Sequence, residues 1–139
     1  MVDTDMLQPV LAMAGLTALV WVRMYSVRLP EMRRRGISPQ SLATSAEKHG
    51  RLQDTRASDN FANLFEVPVL FYVAAFAAIM TGVVTPVSLG LAWPFVGLRG
   101  VHSLIQCTYN RVVDRFIAYV LSCLAVFGLL AYVALYGLR

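Results

Sequence analysis

The sequence predicts an all-α integral membrane protein, a bundle of four transmembrane helices. Hydrophobic types make up 58% of the 139 residues and charged types only 14%. Soluble domains run at about half apolar and a quarter charged. The mean hydropathy of +0.61 points the same way. The apolar residues are also gathered into four segments, each long enough to cross a core of ~30 Å at ~1.5 Å per residue. A soluble globule and a disordered tail are excluded, and residues 1–139 read as a single four-helix transmembrane domain.

The first span covers about 7–29 and carries Arg23 and Arg28 late in its length. It does not read as a cleaved signal peptide, because acidic residues precede it and basic residues follow. Pro30 stops or kinks this helix, and Arg33-Arg34-Arg35-Gly36 reads as a basic last turn ending in a reversal. The polar loop 30–60 follows, and Thr44-x-x-Glu47 fits a capping box at the start of a short helix within it. The second span covers about 61–84 and Thr85-Pro86 breaks the chain. The third covers about 87–108, a turn runs from Tyr109-Asn110-Arg111 to Asp114-Arg115, and the fourth covers about 116–138. All spans must be helical, because lipid offers no partner for a free N–H or C=O.

Net charge is +4, yet the basic residues lie beside apolar runs, which argues for membrane topology and against nucleic acid. Arg33, Arg34, Arg35, Lys48, Arg51 and Arg56 fall in the first loop, and Arg111 and Arg115 in the third. These loops share a side, so the 30–60 loop is expected in the cytoplasm and both termini, with Asp3, Asp5 and Arg139, outside. Cys107 and Cys123 lie in apolar stretches and form no C-x-x-C pair, so neither a disulfide framework nor a metal site follows. Both read as packing residues.

Ionisable residues inside a span are costly and normally face a bundle interior or a watery cavity. The second helix carries Arg56, Asp59, Asn63 and Glu66 at i, i+3, i+7 and i+10. The third carries Arg99, His102, Gln106 and Tyr109 at the same intervals. In a continuous helix each set occupies a stripe roughly 80° wide. Both stripes lie at the cytoplasmic end, as do Arg23 and Arg115. Glu66 and Arg99 are expected to pair, which by itself is a structural role. The remaining Asn, His, Gln, Tyr and Arg side chains are more than one ion pair needs and point to a site. Excess guanidinium beside an amide, a phenol and one carboxylate suits a polar ligand with several carboxylates. The apolar flanks would admit a lipophilic co-substrate from the bilayer. Stripes that one subunit need not satisfy internally suggest an oligomer.

At Asn63-Leu64-Phe65-Glu66 followed by Val67-Pro68, and at Arg99-x-x-His102 with Arg115 beyond, the sequence resembles the MAPEG family, in a bacterial-type form. These are membrane-associated proteins of eicosanoid and glutathione metabolism. The likeness extends over nearly the whole chain, including its length, four spans, long first loop and short later turns. Val22-Arg23-Met24-Tyr25 is similar to the family's basic residue late in the first helix. The resemblance implies a homotrimer with glutathione held between adjacent subunits. It implies that Asn63 and Glu66 bind the polar ends of the tripeptide and that Arg99 and His102 line the pocket. Arg115 would stabilise the thiolate as the catalytic residue, with Gln106, Tyr109, Arg56 and Arg23 completing the binding set. The chain departs from the glutathione-using pattern at Asp59 and Ala62, where arginines are usual, at Gln106 for a tyrosine and at Phe116 for a small hydroxyl residue.

The leading expectation is a glutathione-dependent transferase or peroxidase acting on lipophilic electrophiles. The alternative is a non-catalytic trimer of the same fold that binds membrane lipid or a membrane-protein partner. A four-helix drug/proton exporter ranks below both, since the first helix has Arg23 and no acid. Haem anchoring fits poorly with the single intramembrane histidine, His102.

Overall fold

The computed structural model describes residues 4–138, so Asp3 and Arg139, counted on the outer side above, lie outside the described residues. The chain forms α1 (Leu7–Arg35), a 3-10 turn (Pro39–Leu42), α2 (Ser45–Arg51), α3 (Arg56–Asn63), α4 (Val67–Met80), α5 (Pro86–Cys107) and α6 (Val112–Gly137).

Helix α1 continues past the expected 7–29 span and through Pro30. Its last turn is held by the i,i+4 ion pair Glu31–Arg35 at 2.8 Å, and Arg33, Arg34 and Arg35 complement the helix dipole there. Gly36 ends it at φ +60°, a left-handed conformation that glycine adopts without a Cβ penalty. Glu31 is buried and also accepts from the Gln53 backbone N–H at 2.6 Å, while Arg35 Nη1 donates to the Arg51 carbonyl at 2.7 Å. One carboxylate thus fastens the far end of the loop to α1.

Inside that loop the Thr44/Glu47 capping box forms as expected and opens α2. His49 docks α2 on α3: Nδ1 lies 2.7 Å from the Ser45 carbonyl and Nε2 2.9 Å from Asp59 Oδ1. Both partners are acceptors, which suits the doubly protonated ring. The Ser45 carbonyl first, then the Asp59 carboxylate, raises the His49 pKa above its ordinary 6.5. Asp54 is held below the usual carboxylate range, chiefly by the hydrogen bond from Arg56.

The expected second helix, 61–84, starts earlier and is interrupted. Helix α3 ends at Asn63 and α4 begins at Val67, with Glu66 at φ −98°, ψ −105° between them. Pro68 is the cause: it lacks an N–H, and its ring would clash with the Leu64 carbonyl in a continuous helix, so it sits in the first turn of a new one. The single stripe drawn through Arg56, Asn63 and Glu66 is therefore broken before Glu66.

At the other end, Thr85 caps α5, accepting from the Ser88 N–H at 3.2 Å while Ser88 Oγ accepts from the Thr85 N–H at 2.8 Å. Helix α6 begins at Val112, so Asp114 and Arg115, expected in a turn, stand in its first turn. Asp114 is favourable at a helix N-terminus, and Asn110 makes the preceding reversal at φ +51°.

Among the described residues, three helical stretches, Leu7–Arg35, Arg56–Met80 and Val112–Gly137, are long and apolar enough to cross a membrane. Helix α5 has the length, but Arg99, His102 and Gln106 dilute its hydropathy. It packs most extensively against α6, with α4 against α6 and α1 against α3. The core between them centres on Phe71 and Phe95, stacked at 4.7 Å between centroids, with Ala74, Ala78, Ala92, Val126 and Leu129 around them. Small side chains here let backbones approach, as membrane helix packing requires. Gly137 shows how close: a Cβ there would meet Thr81 Oγ1 at 2.7 Å.

Candidate functional site

The polar groups gather where α3, α5 and α6 meet. Arg99 is fully buried on α5. Its Nη2 donates to the Asn63 carbonyl at 3.1 Å, and its guanidinium lies over the Tyr119 ring, 5.9 Å from the centroid. That carbonyl belongs to the last residue of α3 and otherwise accepts only a long bond from the Glu66 N–H at 3.4 Å, so Arg99 caps the negative end of α3. Among the described residues, Arg99 Nε and Nη1 have no hydrogen-bond partner. The expected Glu66–Arg99 ion pair does not form. Glu66 is exposed at the break, where Pro68 has turned the chain out of the α3 register.

His102 and Gln106, one turn apart on α5, are both buried. His102 Nδ1 lies 3.1 Å from the Arg115 carbonyl and Nε2 3.1 Å from Gln106 Oε1. Asn63 Nδ2 donates to the same Gln106 oxygen at 3.4 Å. A neutral imidazole satisfies both contacts only if Gln106 presents its amide N–H to Nε2, whereas an imidazolium donates to both. Arg115 Nη1 donates to Asn110 Oδ1 at 2.7 Å, which orients the guanidinium from the start of α6.

Between these groups lies an open cleft of about 200 Å³ lined by Asn63, His102, Val112, Arg115, Phe116 and Tyr119. One wall is amide, imidazole and guanidinium; the other is apolar. A cleft so built can hold an anionic group against Arg115 and His102 with an apolar body beside Val112 and Phe116. Tyr119 was not singled out in the sequence, although it stands one helical turn after Arg115 and so shares its face.

Within one chain, Glu66 does not line the cleft, and three further expected binding residues stand elsewhere. Arg56 pairs with Asp54 at 2.8 Å and donates to the Thr108 carbonyl, which ties α3 to the end of α5. Tyr109 is exposed beyond the C-terminus of α5. Arg23 lines a separate groove between α1 and α5. Asp59, standing where an arginine was usual, is engaged by His49 and by Thr55 Oγ1 at 2.9 Å.

The model of the MAPEG family matches residues 6–135. The chain belongs to the MAPEG family. No curated protein and no solved structure matches it. The match extends from the first turn of α1 into the last turns of α6, so the family membership covers every helix named above.

Proposed function

We propose that this MAPEG protein is a glutathione-dependent transferase or peroxidase acting on lipophilic electrophiles. The observation that carries the proposal is the buried polar cluster around the cleft. Arg99 lies behind the Tyr119 ring with two unpartnered nitrogens, and Arg115 and His102 face the opening. A buried cation with no carboxylate paired to it favours an anionic ligand nearby. Asn63, His102 and Gln106 would bind the polar groups of the tripeptide, and the exposed Glu66 would offer a carboxylate to its amine. Arg115 would lie near the cysteinyl sulfur, where a cation raises the thiolate fraction at neutral pH. With an alkylating electrophile the thiolate forms an S–C bond as the leaving group departs with its electron pair. With a hydroperoxide, two thiols are oxidised to the disulfide while the O–O bond is reduced to alcohol and water.

A homotrimer follows in the same proposal. Pockets for ligands of this size run to about 300–1,000 Å³, whereas the cleft of one chain holds about 200 Å³ and is open. A neighbouring subunit would supply the missing wall. Helix α5 would then be the fourth membrane span, its polar residues turned to the shared site. The 30–60 loop would lie in the cytoplasm with the termini outside, and the apolar lip at Val112 and Phe116 would receive substrate from the bilayer. The form would be of bacterial type.

Turnover of a chloronitroaromatic electrophile and of an organic hydroperoxide, each with glutathione, tests the proposal. Activity in the wild type should fall about 100-fold in Arg115→Ala, the order of loss seen when one donor to a developing anion is removed. Equal rates in the two proteins would remove Arg115 from the chemistry. A non-catalytic trimer binding lipid or a membrane partner is the second reading. It is favoured by Gln106, whose amide is occupied by His102 and Asn63 where the family pattern has a phenol.

A further inference from the structure

A second groove, on another side of α5 from the polar cleft, runs between α1 and α5 with a volume of about 340 Å³. Leu16, Leu19 and Val20 on α1 face Gly100, Ser103 and Leu104 on α5. Arg23 closes one end together with Cys107 and Thr108. The two sets have the same internal spacing, 16, 19, 20, 23 against 100, 103, 104, 107, so two parallel helix faces bound a channel seven residue steps long. At ~1.5 Å per residue that is ~10 Å, the reach of about one half of an acyl chain. Its rims are apolar and open, with Leu19 70% and Leu104 65% exposed.

Two features shape this groove, of which the charge at its end is the distinctive one, since Gly90 and Gly97 on α5 have open space beside them as well. Gly100 opens it: a Cβ placed there would meet nothing within 4 Å. Arg23 is exposed and, among the described residues, makes no side-chain hydrogen bond or ion pair, whereas Arg28 and Arg35 further along α1 contact the Tyr25 ring and the Glu31 carboxylate. Arg33 and Arg34, in the last turn of α1, are likewise without a side-chain partner among the described residues but lie away from the groove. The acid that feels its charge is Asp54, whose carboxylate is already taken by Arg56. An unpartnered guanidinium at the head of an apolar channel is complementary to an amphiphile with an anionic head. Charge asymmetry of the loops puts this end at the cytoplasmic leaflet, where anionic lipids are enriched.

We infer that the α1–α5 groove is a binding site for one anionic glycerophospholipid, an acyl chain lying along Gly100 and the lipid phosphate on Arg23. The inference does not rest on glutathione binding, since none of the groove residues lines the polar cleft. The site would select its lipid by charge and fill the space that the direct packing of α1 on α5 leaves open.

Native mass spectrometry of the protein, released from nanodiscs of mixed phosphatidylglycerol and phosphatidylcholine, tests it. The wild type should retain one phosphatidylglycerol per subunit. Arg23→Gln should lower that retention about fivefold, the weight of one basic side chain at an anionic surface. Gly100→Leu, which fills open space, should abolish retention of both lipids while leaving the oligomer mass unchanged. Equal retention of the two lipids by the wild type would overturn the charge argument. Undiminished retention in Gly100→Leu would overturn the location. Loss of the oligomer in Gly100→Leu would mean that a second copy of the chain, and not lipid, covers the groove.

Discussion

Glu66 is the residue at which structural and ligand-binding roles separate. A buried partner of Arg99 would be costly to remove, typically ~3–5 kcal/mol. Glu66 is instead exposed and Arg99 caps the Asn63 carbonyl, so Glu66→Gln should leave the melting temperature of the ligand-free protein unaltered. Glutathione affinity should fall about thirtyfold, or roughly 2 kcal/mol, for one charge-assisted hydrogen bond. A large drop in melting temperature with unchanged affinity would restore the structural role. His49 offers a second check at this scale. Its pKa is raised, by the Ser45 carbonyl and then by Asp59, so the docking of α2 is fully favoured below pH 6.5 and is lost as pH rises through the higher folded-state value. Titration of the His49 ring by NMR should give a midpoint above 6.5 that moves down in Asp59→Asn. A midpoint at or below 6.5 in the wild type would mean that the His49–Asp59 contact does not persist in solution.

Elements defined by local chemistry were legible in the sequence. Gly36, the Thr44/Glu47 box and the Thr85-Pro86 break each act within four residues and stand where the residues indicated, although the capping of α5 by Thr85 was not read from them. The convergence of Asn63, His102, Gln106 and Arg115 was legible too, because helical spacing put them at one depth. What stayed hidden depends on contacts distant in sequence or on one proline. Nothing near Glu31 announces that it will accept from Gln53, 22 residues on. Pro68 was visible, but drawing the stripe through a continuous helix placed Glu66 beside Asn63 when the chain in fact turns between them. The length of α5 fitted a span, while its polar content leaves three helical stretches that are apolar enough on their own. Packing carries a prediction here. Phe71 is fully buried and stacked on Phe95, so Phe71→Ala should cost about 3–5 kcal/mol of stability through the cavity it leaves. Reversible unfolding in mild detergent measures that. A loss below 1 kcal/mol, the scale of a surface change, would show that α4 and α5 do not meet through this stack.

For the whole molecule, the arrangement explains why polar residues this expensive are kept in a membrane chain. Arg99 and His102 are held by α3 and α6 at one end of the bundle, while the opposite ends of α4 and α6 close against each other at Thr81 and Gly137. The polar cleft and the α1–α5 groove share no lining residue, so a ligand proposed for one need not displace a ligand proposed for the other. The central claim is that the cleft binds glutathione, and calorimetric titration of the purified oligomer with glutathione tests it most directly. The account predicts saturable binding at one site per subunit, weakened in Arg115→Ala and in Glu66→Gln and unaffected by Gly100→Leu. Absence of saturable binding at millimolar glutathione in a folded oligomer would contradict it.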